Sequence, residues 1–361
     1  MSNLFIVNTP FHLLTGFILS RSFFKDDANY LALIHPHSYE RWHTNKIMAY
    51  MSSGESGWRE VYPLIHFLSS RHKSASYAEQ VQQVRDTIGR RGISRIFLGS
   101  DIDPQNQLLA AALGADSFIR YEDGLYSYYN ENRRRSSIDA AFHKLKILGL
   151  EKLAGIKNTL YINTLTASDS RAGTADYMYK PQLLQRYSPK AVEITKEAIH
   201  TALAELKSKK LLQPVLDTPS VLYLSQPLVE KKLFTIEEEL SCLKSLVKPL
   251  AKDSRLLYKP HPNDDRSKIN YFRQHLPQMT IFDSSEPAEL LYYTEPNLKA
   301  VVSYQSTALM YADKFAAHDI KAISLSDFAR SPMYPKYKEI MQNAGVYFPG
   351  TLDEIVNYIE N

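Results

Sequence analysis

Short apolar runs alternate along the chain with longer stretches in which apolar residues recur at helical spacing. A short apolar run predicts a buried strand, and an amphipathic stretch predicts a helix that covers a sheet. This alternation is typical of α/β proteins with mostly parallel strands. The predicted strands are 4–7, 30–34, 95–98, 117–121, 221–224, 256–258, 280–282, 300–303 and 321–324. The predicted helices are 10–22, 77–90, 105–113, 189–211, 235–247, 287–293, 306–316 and 352–359.

The length of the chain predicts two domains, because 361 residues exceed what one hydrophobic core usually supports. Breaks at Gln213-Pro214 and Thr218-Pro219 separate a long amphipathic stretch from the next apolar run. We expect an N-terminal Rossmann-like domain over residues 1–215 and a C-terminal one over 216–345. A last helix within 346–361 is expected to pack back on the first domain. Ligands of such sheets bind outside the carboxyl ends of the strands, so a central cleft is expected there.

Composition narrows the class of protein. Hydrophobic residues make up 44% of the chain and charged residues 23%, which excludes a disordered chain. Cys242 is the only cysteine, which excludes a disulfide framework and a cysteine-rich zinc site and favours a reducing compartment. The chain begins without a basic leader and contains no run of about 18 apolar residues, so we expect neither a signal peptide nor a transmembrane helix. These features predict a cytoplasmic protein.

Two adjacent carboxylates, Glu122 and Asp123, end the predicted strand in the segment 118–124, FIRYEDG. Their mutual repulsion can raise the pKa of one of them and so create a general base. Gly124 permits a tight turn after them. An exposed acidic turn explains the same residues equally well. By itself the segment is therefore only a candidate site.

A second predicted strand ends in Lys259-Pro260-His261-Pro262. The two prolines restrict the backbone on either side of His261. A fixed imidazole with a nearby ammonium is suited to stabilise a departing phosphate, and the imidazole can donate a proton to it. The alternative interpretation is a proline-rich loop with incidental basic residues.

A third predicted strand leads to Ser306 and Thr307, which open a helix. A helix N-terminus with free amides and hydroxyl groups can bind an anion, although serine and threonine also occur there simply as caps. Glu286 opens another predicted helix and is a candidate to contact ribose hydroxyls. A carboxylate in the first turn is also favourable with the helix dipole alone.

The order of these three motifs resembles the bacterial sialyltransferases, which carry acidic-acidic-glycine, His-Pro and Ser-Ser or Ser-Thr motifs in this order. The opening segment 4–14, LFIVNTPFHLL, resembles the start of glycosyltransferase family 52, which includes lipooligosaccharide sialyltransferases. The related polysialyltransferases of family 38 share the three motifs. The resemblance extends from the first strand to beyond Thr307.

This resemblance implies a GT-B type α/β fold, with two doubly wound domains facing a central cleft. It implies an inverting transfer of sialic acid from CMP-sialic acid to a galactose-type or sialic acid hydroxyl of a bacterial surface glycan. One motif carboxylate would deprotonate the oligosaccharide acceptor; we favour Glu122, with Asp123 second and Glu230 third. His261 would bind or protonate the CMP phosphate. The other donor-binding residues would be Lys259, Pro262, Ser303, Ser306, Thr307, Glu286, Asn8 and Thr9.

We expect neither a cofactor nor a metal ion. A departing phosphate can be stabilised by His261, Lys259 and a helix N-terminus. The nearest match to a metal-binding DxD motif is Asp101-Ile102-Asp103, which we interpret as a loop feature.

The net charge of +4 suits an anionic substrate or an anionic membrane surface. The cluster Arg133-Arg134-Arg135 is first interpreted as a solvated basic loop. The alternative is that this cluster and the basic run 207–210 contact an anionic glycan or, peripherally, anionic lipid of the inner membrane. No recognised nucleic-acid-binding fold surrounds them, so no nucleic acid partner is expected. The alternatives are a related transferase with a CMP-Kdo or CDP-glycerol donor and a non-catalytic glycan-binding protein. The acceptor, the linkage and the oligomeric state, including a homodimer, stay open.

Overall fold

Two α/β units divide the chain in this computed structural model, Met1–Ala202 and Leu203–Asn361. The structure describes residues 1–35, 44–65, 74–129, 137–156, 171–250, 255–329 and 333–360. Within these ranges no helix is both long and apolar enough to cross a membrane. The division falls inside a helix, a little before the boundary expected after residue 215.

The first unit is built on a sheet whose neighbouring strands are all parallel in the described ranges. Its strands lie in the order β3-β2-β1-β4-β5-β6-β7. Central β1 is buried along its apolar run, as expected for a parallel strand covered on both faces. The strands are β1 (Ser2–Val7), β2 (Ala28–His35), β3 (Val61–Ile65), β4 (Arg95–Leu98), β5 (Phe118–Tyr121), β6 (Gly173–Met178) and β7 (Ala191–Glu193).

Helices of the first unit begin directly after strand ends, where local sequence signals fix their start. The hydroxyl of Thr9 accepts the backbone N–H of His12, and Pro10 occupies the first helical position. Asp103 caps the helix after β4 in the same way, through the N–H of Gln105. The helices are α1 (Pro10–Arg21), α2 (Lys46–Met51), α3 (Ser74–Thr87), α4 (Pro104–Ala112), α5 (Ser137–Ala154) and α6 (Lys196–Ser208).

The second unit repeats the design on a smaller parallel sheet, ordered β10-β9-β8-β11-β12. Its strands are β8 (Ser220–Leu224), β9 (Arg255–Lys259), β10 (Thr280–Ile281), β11 (Leu298–Ser303) and β12 (Lys321–Ser324). Its helices are α7 (Ile236–Leu250), α8 (Arg266–His275), α9 (Glu289–Thr294), α10 (Ala312–Phe315), α11 (Pro335–Asn343) and α12 (Leu352–Glu360). Helix α12 packs against α7 and β12, and its Ile355 joins the core of this unit.

In each sheet the strand order reverses at a central strand, between β1 and β4 and again between β8 and β11. Ligands of doubly wound sheets bind at this position, outside the carboxyl ends of the strands. The motifs from the sequence lie at or beside this position: Ser306 follows β11, the acidic motif follows β5 next to β4, and the His-Pro motif follows β9 next to β8.

Two predicted helices differ from the structure. The predicted helix 189–211 is wrong at its start, because residues 191–193 form β7 and pair with β6 before α6 begins. Residues 307–311 form a 3-10 helix before the short α10, so the predicted helix 306–316 is split. In the first case strand pairing with β6 overrides the local helical pattern, and in the second a tighter 3-10 turn does.

Candidate active site

An accessible carboxylate and a buried histidine meet at the carboxyl edge of the first sheet. Asp123 Oδ1 lies 2.5 Å from His12 Nε2, with the Asp123 side chain 28% exposed and that of His12 only 2%. The backbone N–H of Asp123 donates to Ser127 Oγ at 2.7 Å, which anchors the turn. One oxygen of a solvent-accessible carboxylate is thus held by an imidazole in the first turn of α1.

The imidazole of His12 is itself held by close packing. A Cβ atom on Gly99, just after β4, would lie 2.5 Å from His12 Nε2, so only glycine leaves room for the ring. The ring of Tyr121 packs edge-on against it, with centroids 5.4 Å apart. His12 Nδ1 is buried and has no hydrogen-bond partner among the described residues. His12 was not among the site residues predicted from the sequence.

Glu122 lies in a different environment from its neighbour Asp123. It is fully buried and accepts the backbone N–H of Tyr179, just beyond β6, at 2.7 Å. Burial raises the pKa of Tyr128 well above its usual value, and the adjacent charge of Glu122 raises it further. The side chain of Glu122 therefore ties the end of β5 to the segment after β6.

Asn8 and Thr9 lie at the end of β1, on the same edge of the sheet. Asn8 Nδ2 donates to Asp103 Oδ2 at 3.2 Å and to Asn106 Oδ1 at 3.1 Å, which joins the ends of β1 and β4. Asn8 Oδ1 is buried without a hydrogen-bond partner among the described residues. Thr9 caps α1.

A buried ion network lies behind this edge and accounts for Asp101. Arg120 Nε donates to Asp176 Oδ1 at 2.5 Å, and Arg120 Nη1 donates to Asp101 Oδ2 at 3.2 Å. Burial would raise the pKa of Asp176, but hydrogen bonds from Arg120 and Arg186 outweigh it and lower that pKa. The network links the ends of β4, β5 and β6. Asp101 and Asp103 thus have roles in the fold, as an ion-pair partner and a helix cap.

In the second unit, the backbone after β9 fixes His261. Its backbone N–H donates to Asp264 Oδ2 at 2.9 Å, and its Nδ1 accepts the N–H of Asn263 at 3.1 Å. An Nδ1 that accepts a hydrogen bond carries no proton, so the neutral imidazole has its proton on Nε2. Burial lowers the pKa of His261 below 6.5; Asp264 opposes this, and Lys231 and Lys268 reinforce it. At neutral pH the ring is therefore a neutral Nε2–H donor.

Lys268, at the start of α8, holds the His261 loop in place. Its side chain is 1% exposed, and its Nζ lies 2.8 Å from Asp264 Oδ1, 3.4 Å from Glu230 Oε2 and 3.6 Å from Glu239 Oε2. The hydroxyl of Tyr258 lies 3.2 Å from Asp264 Oδ2. Glu230 also accepts the N–H of Asp265 at 2.8 Å. Glu230, the third candidate base, is therefore part of the network that positions the loop.

Lys259 joins the ends of β9 and β10. Its Nζ donates to the carbonyl oxygen of Ser284 at 2.6 Å and lies 5.6 Å from the ring of Phe282. Burial lowers the pKa of Lys259, and the carboxylates of Glu286 and Glu289 oppose this shift. The hydroxyl of Ser284 donates to Glu286 Oε2. Lys259 and Glu286 thus share one loop.

The remaining predicted contacts follow β11. The hydroxyl of Ser303 is buried and donates to the carbonyl of Leu224, 2.7 Å away on β8. Ser306 caps the 3-10 helix through the N–H of Ala308, and Thr307 follows it, partly exposed. The side chain of Gln226, after β8, accepts the N–H of Gln305 at 3.1 Å. These contacts lie at the position where the strand order reverses.

Within each unit, the structure therefore gathers the predicted residues at one edge. Asn8, Thr9, Glu122 and Asp123 share the first edge, and Lys259, His261, Pro262, Glu286, Ser303, Ser306 and Thr307 share the second.

The sequence model of the alpha-2,8-polysialyltransferase (POLYST) family matches residues 3–326. The chain belongs to this family. The resemblance to bacterial sialyltransferases and to their polysialyltransferase relatives is therefore confirmed, while family 52 in particular stays a prediction.

Two further comparisons concern a relative and the fold. A protein of Haemophilus influenzae described as uncharacterized is 28% identical over 195 residues, which are 53% of this chain and 58% of that protein. The chain thus matches less than two thirds of that relative's length. The UDP-GlcNAc 2-epimerases of Neisseria meningitidis and Methanocaldococcus jannaschii superpose with TM-scores of 0.56 and 0.55, each at 11% identity. Both superpositions cover 100% of this chain, and they cover 91% and 92% of those chains. The predicted GT-B type fold class is confirmed.

Proposed function

We propose that this chain is an inverting sialyltransferase that moves sialic acid from CMP-sialic acid to a hydroxyl of a bacterial surface glycan, either a lipooligosaccharide or a capsule. The observation that carries the proposal is that this family member combines two side chains that are held in place. One is an accessible carboxylate held by a buried histidine, and the other is a histidine fixed as a neutral Nε2–H donor. The family favours a sialic acid hydroxyl over a galactose hydroxyl as the acceptor.

Asp123 is our candidate for the base, in place of Glu122, which the sequence favoured. A base must reach the acceptor hydroxyl, and Asp123 is partly exposed whereas Glu122 is fully buried and occupied by a backbone amide. The second oxygen of Asp123 can accept the proton while His12 holds the first. His12 then acts as a positioning residue.

His261 is our candidate for the leaving-group side of the reaction. As the acceptor oxygen bonds to the anomeric carbon, the bond from that carbon to the CMP phosphate oxygen breaks, and the acceptor proton passes to Asp123. The Nε2–H of His261 would donate to the departing phosphate, whose negative charge needs such a partner. Ser306 and Thr307 would contact the phosphate oxygens and Glu286 the ribose hydroxyls. Lys259 would act mainly by its charge, since its ammonium also holds the loop of Ser284.

Release of CMP tests this function directly. The protein is incubated separately with CMP-sialic acid, CMP-Kdo and CDP-glycerol, each with lactose, sialyllactose and disialyllactose, and products are identified by mass spectrometry and NMR. We expect transfer only from CMP-sialic acid, and best to the sialylated acceptors. Transfer only from CMP-Kdo or CDP-glycerol would overturn the proposal, and binding of the acceptors without turnover of any donor would leave a glycan-binding protein.

His261→Ala should lower turnover about 100-fold, the size of a lost acid or base contribution. The matched control is His275→Ala, an exposed histidine at the end of α8 in the same unit. Equal rates for the two variants would remove His261 from the mechanism.

A further inference from the structure

Helix α5 (Ser137–Ala154) exposes a continuous apolar stripe. Ile138, Phe142, Leu145 and Leu148 follow one another at intervals of four, three and three residues, so they lie on one face of the helix. They are 70%, 70%, 65% and 48% exposed. Single exposed apolar residues are ordinary, but a contiguous stripe of large ones marks a surface that meets another apolar phase or partner.

The fold uses a different side of the same helix. Helix α5 packs alongside α3, and Arg85 of α3 donates to the carbonyl of Gly155, just after α5, at 3.1 Å. Ala141 and Gly149, which lie between the large apolar residues on the stripe, are also exposed. The stripe therefore stays exposed although the helix packs on its own unit.

Positive charge is concentrated in the stretch of sequence that contains this helix. Residues 133–157 contain seven basic and two acidic residues, a net charge of +5, whereas the whole chain carries +4. Lys144 and Lys152 on α5 are exposed. Arg133-Arg134-Arg135 precede the helix in sequence and lie outside the described residues. The excess positive charge of the chain is thus accounted for by the 25 residues that include the stripe.

We propose that α5 is a membrane-docking helix that lies in the plane of an anionic bilayer surface. The apolar stripe would enter the boundary between headgroups and acyl chains, and the lysines would meet lipid phosphates. Long lysine stems reach from such a boundary to the headgroups. A soluble polyanion would satisfy the lysines but leave Phe142 and Leu145 in water. A second copy docked through the same face would bring two positively charged surfaces together.

This surface is independent of the proposed reaction, since no residue of either motif contributes to it. It would hold the unit that carries Asp123 at a bilayer, which suits an acceptor glycan built on a lipid. Docking would therefore determine where the proposed reaction takes place. It does not depend on the donor being CMP-sialic acid.

Vesicle sedimentation tests the proposal. At low salt, the protein should sediment with vesicles of phosphatidylglycerol and phosphatidylcholine, and at least about 10-fold less with phosphatidylcholine alone. The double variants Phe142→Ser/Leu145→Ser and Lys144→Glu/Lys152→Glu should each lower partitioning into the anionic vesicles about 10-fold or more. Since all four side chains are exposed, circular dichroism melting curves should match those of the unaltered protein.

Two control variants carry the same chemical changes elsewhere. Tyr187→Ser/Val215→Ser removes two exposed large side chains away from α5, and Lys244→Glu/Lys299→Glu reverses two exposed charges of the second unit that lie outside both basic runs. Both should retain vesicle binding within about twofold. An equal loss in these controls would show that total hydrophobicity or total charge, not α5, governs binding.

A second measurement reads the position of the stripe. In Phe142→Trp, fluorescence should shift to shorter wavelength when anionic vesicles are added, while Tyr187→Trp should not change. If Phe142→Trp does not shift, or if Phe142→Ser/Leu145→Ser turns a dimer into a monomer in light scattering without changing vesicle binding, the proposal is overturned. The second result would assign the stripe to a second copy.

Discussion

The two carboxyl edges hold their reactive groups by different physical means. At the first edge, Asp123 is oriented by one side chain, His12, whose ring fits against Gly99. At the second, His261 is fixed by its own backbone and by the ion network centred on Lys268. A single contact leaves the carboxylate accessible and dependent on one ring. Backbone contacts and a network instead set the position of the His261 imidazole, while burial and the N–H of Asn263 set its protonation state. We therefore expect loss of the contact between Asp123 and His12 to lower activity, and loss of the Lys268 network to lower stability.

The largest effect should separate the two adjacent carboxylates of the acidic motif. Asp123→Asn removes the proposed base while keeping the size of the side chain, and should lower turnover about 1000-fold, or about 4 kcal/mol in the transition state. The melting temperature should stay close to that of the unaltered protein. Asp116→Asn, an exposed carboxylate before β5, is the matched control and should keep full turnover.

Glu122→Gln should give the opposite pattern. The buried carboxylate accepts the N–H of Tyr179, and weakening that contact should cost about 1–3 kcal/mol of unfolding free energy. Turnover per folded molecule should fall less than in Asp123→Asn. Urea unfolding and initial rates of CMP release measure the two quantities. A greater loss of turnover in Glu122→Gln than in Asp123→Asn would restore Glu122 as the base.

The next effect concerns the network at the second edge. Lys268→Met leaves Asp264 and Glu239 buried without their cation, which should lower the unfolding free energy by about 3 kcal/mol. Urea unfolding followed by circular dichroism measures it. Lys244→Met makes the same change on the exposed face of α7 and should cost less than about 0.5 kcal/mol. Similar losses in both variants would mean that the network does not stabilise the His261 loop.

The sequence predicted this arrangement where the physical signal is local. Buried parallel strands such as β1 read as continuous apolar runs, and the motif residues at their ends are adjacent in the chain. Strand β6 has no such run, because its Asp176 is a buried carboxylate that pairs with Arg120 and Arg186. Strand β3 contains Pro63, and edge strand β7 is exposed, so neither looked like a strand.

The candidate site was predictable only in part for the same reason. The position of Glu122 and Asp123 after a strand followed from the sequence. Their different burial depends on the distant Tyr179, and the partner of Asp123 is 111 residues away in the chain. The sequence shows only that His12 lies in the first helical turn after β1. This position indicates a role for His12 only once β1 and β5 are known to end at the same edge of the sheet.

A smaller effect should come from the dependence of the unfolding free energy on pH, which buried carboxylates of the second unit cause. Burial raises the pKa of Glu289 to about 7, from 4.5 in the unfolded chain, with Lys259 opposing the shift. Between these values the unfolded chain loses its proton first, so the fold loses stability as pH rises. From pH 5 to pH 8 this should cost about 2–3 kcal/mol.

Glu289→Gln should remove this contribution, while that of Glu239, whose pKa burial also raises to about 7, stays. Relative to this variant, the unaltered protein should lose about 2–3 kcal/mol of unfolding free energy between pH 5 and pH 8 in urea titrations. Glu237→Gln, which alters an exposed carboxylate at the start of α7, should follow the unaltered protein. Parallel pH profiles for Glu289→Gln and the unaltered protein would mean that Glu289 ionises normally in the fold.

The smallest effect tests the single contact at the first edge. In Gly99→Ala the new Cβ would lie 2.5–2.9 Å from three ring atoms of His12, so the ring must move and Asp123 loses its fixed partner. We expect about a 10-fold fall in kcat with an unchanged KM for CMP-sialic acid, because the acceptor side alone is disturbed. Gly54→Ala, where the added methyl has open space, should have no effect. If His12 transmits the change, Gly99→Ala should cost nothing further in a His12→Ala background. If the losses of kcat from Gly99→Ala and His12→Ala add up in the double variant, Gly99 acts by a route other than the pairing of His12 with Asp123.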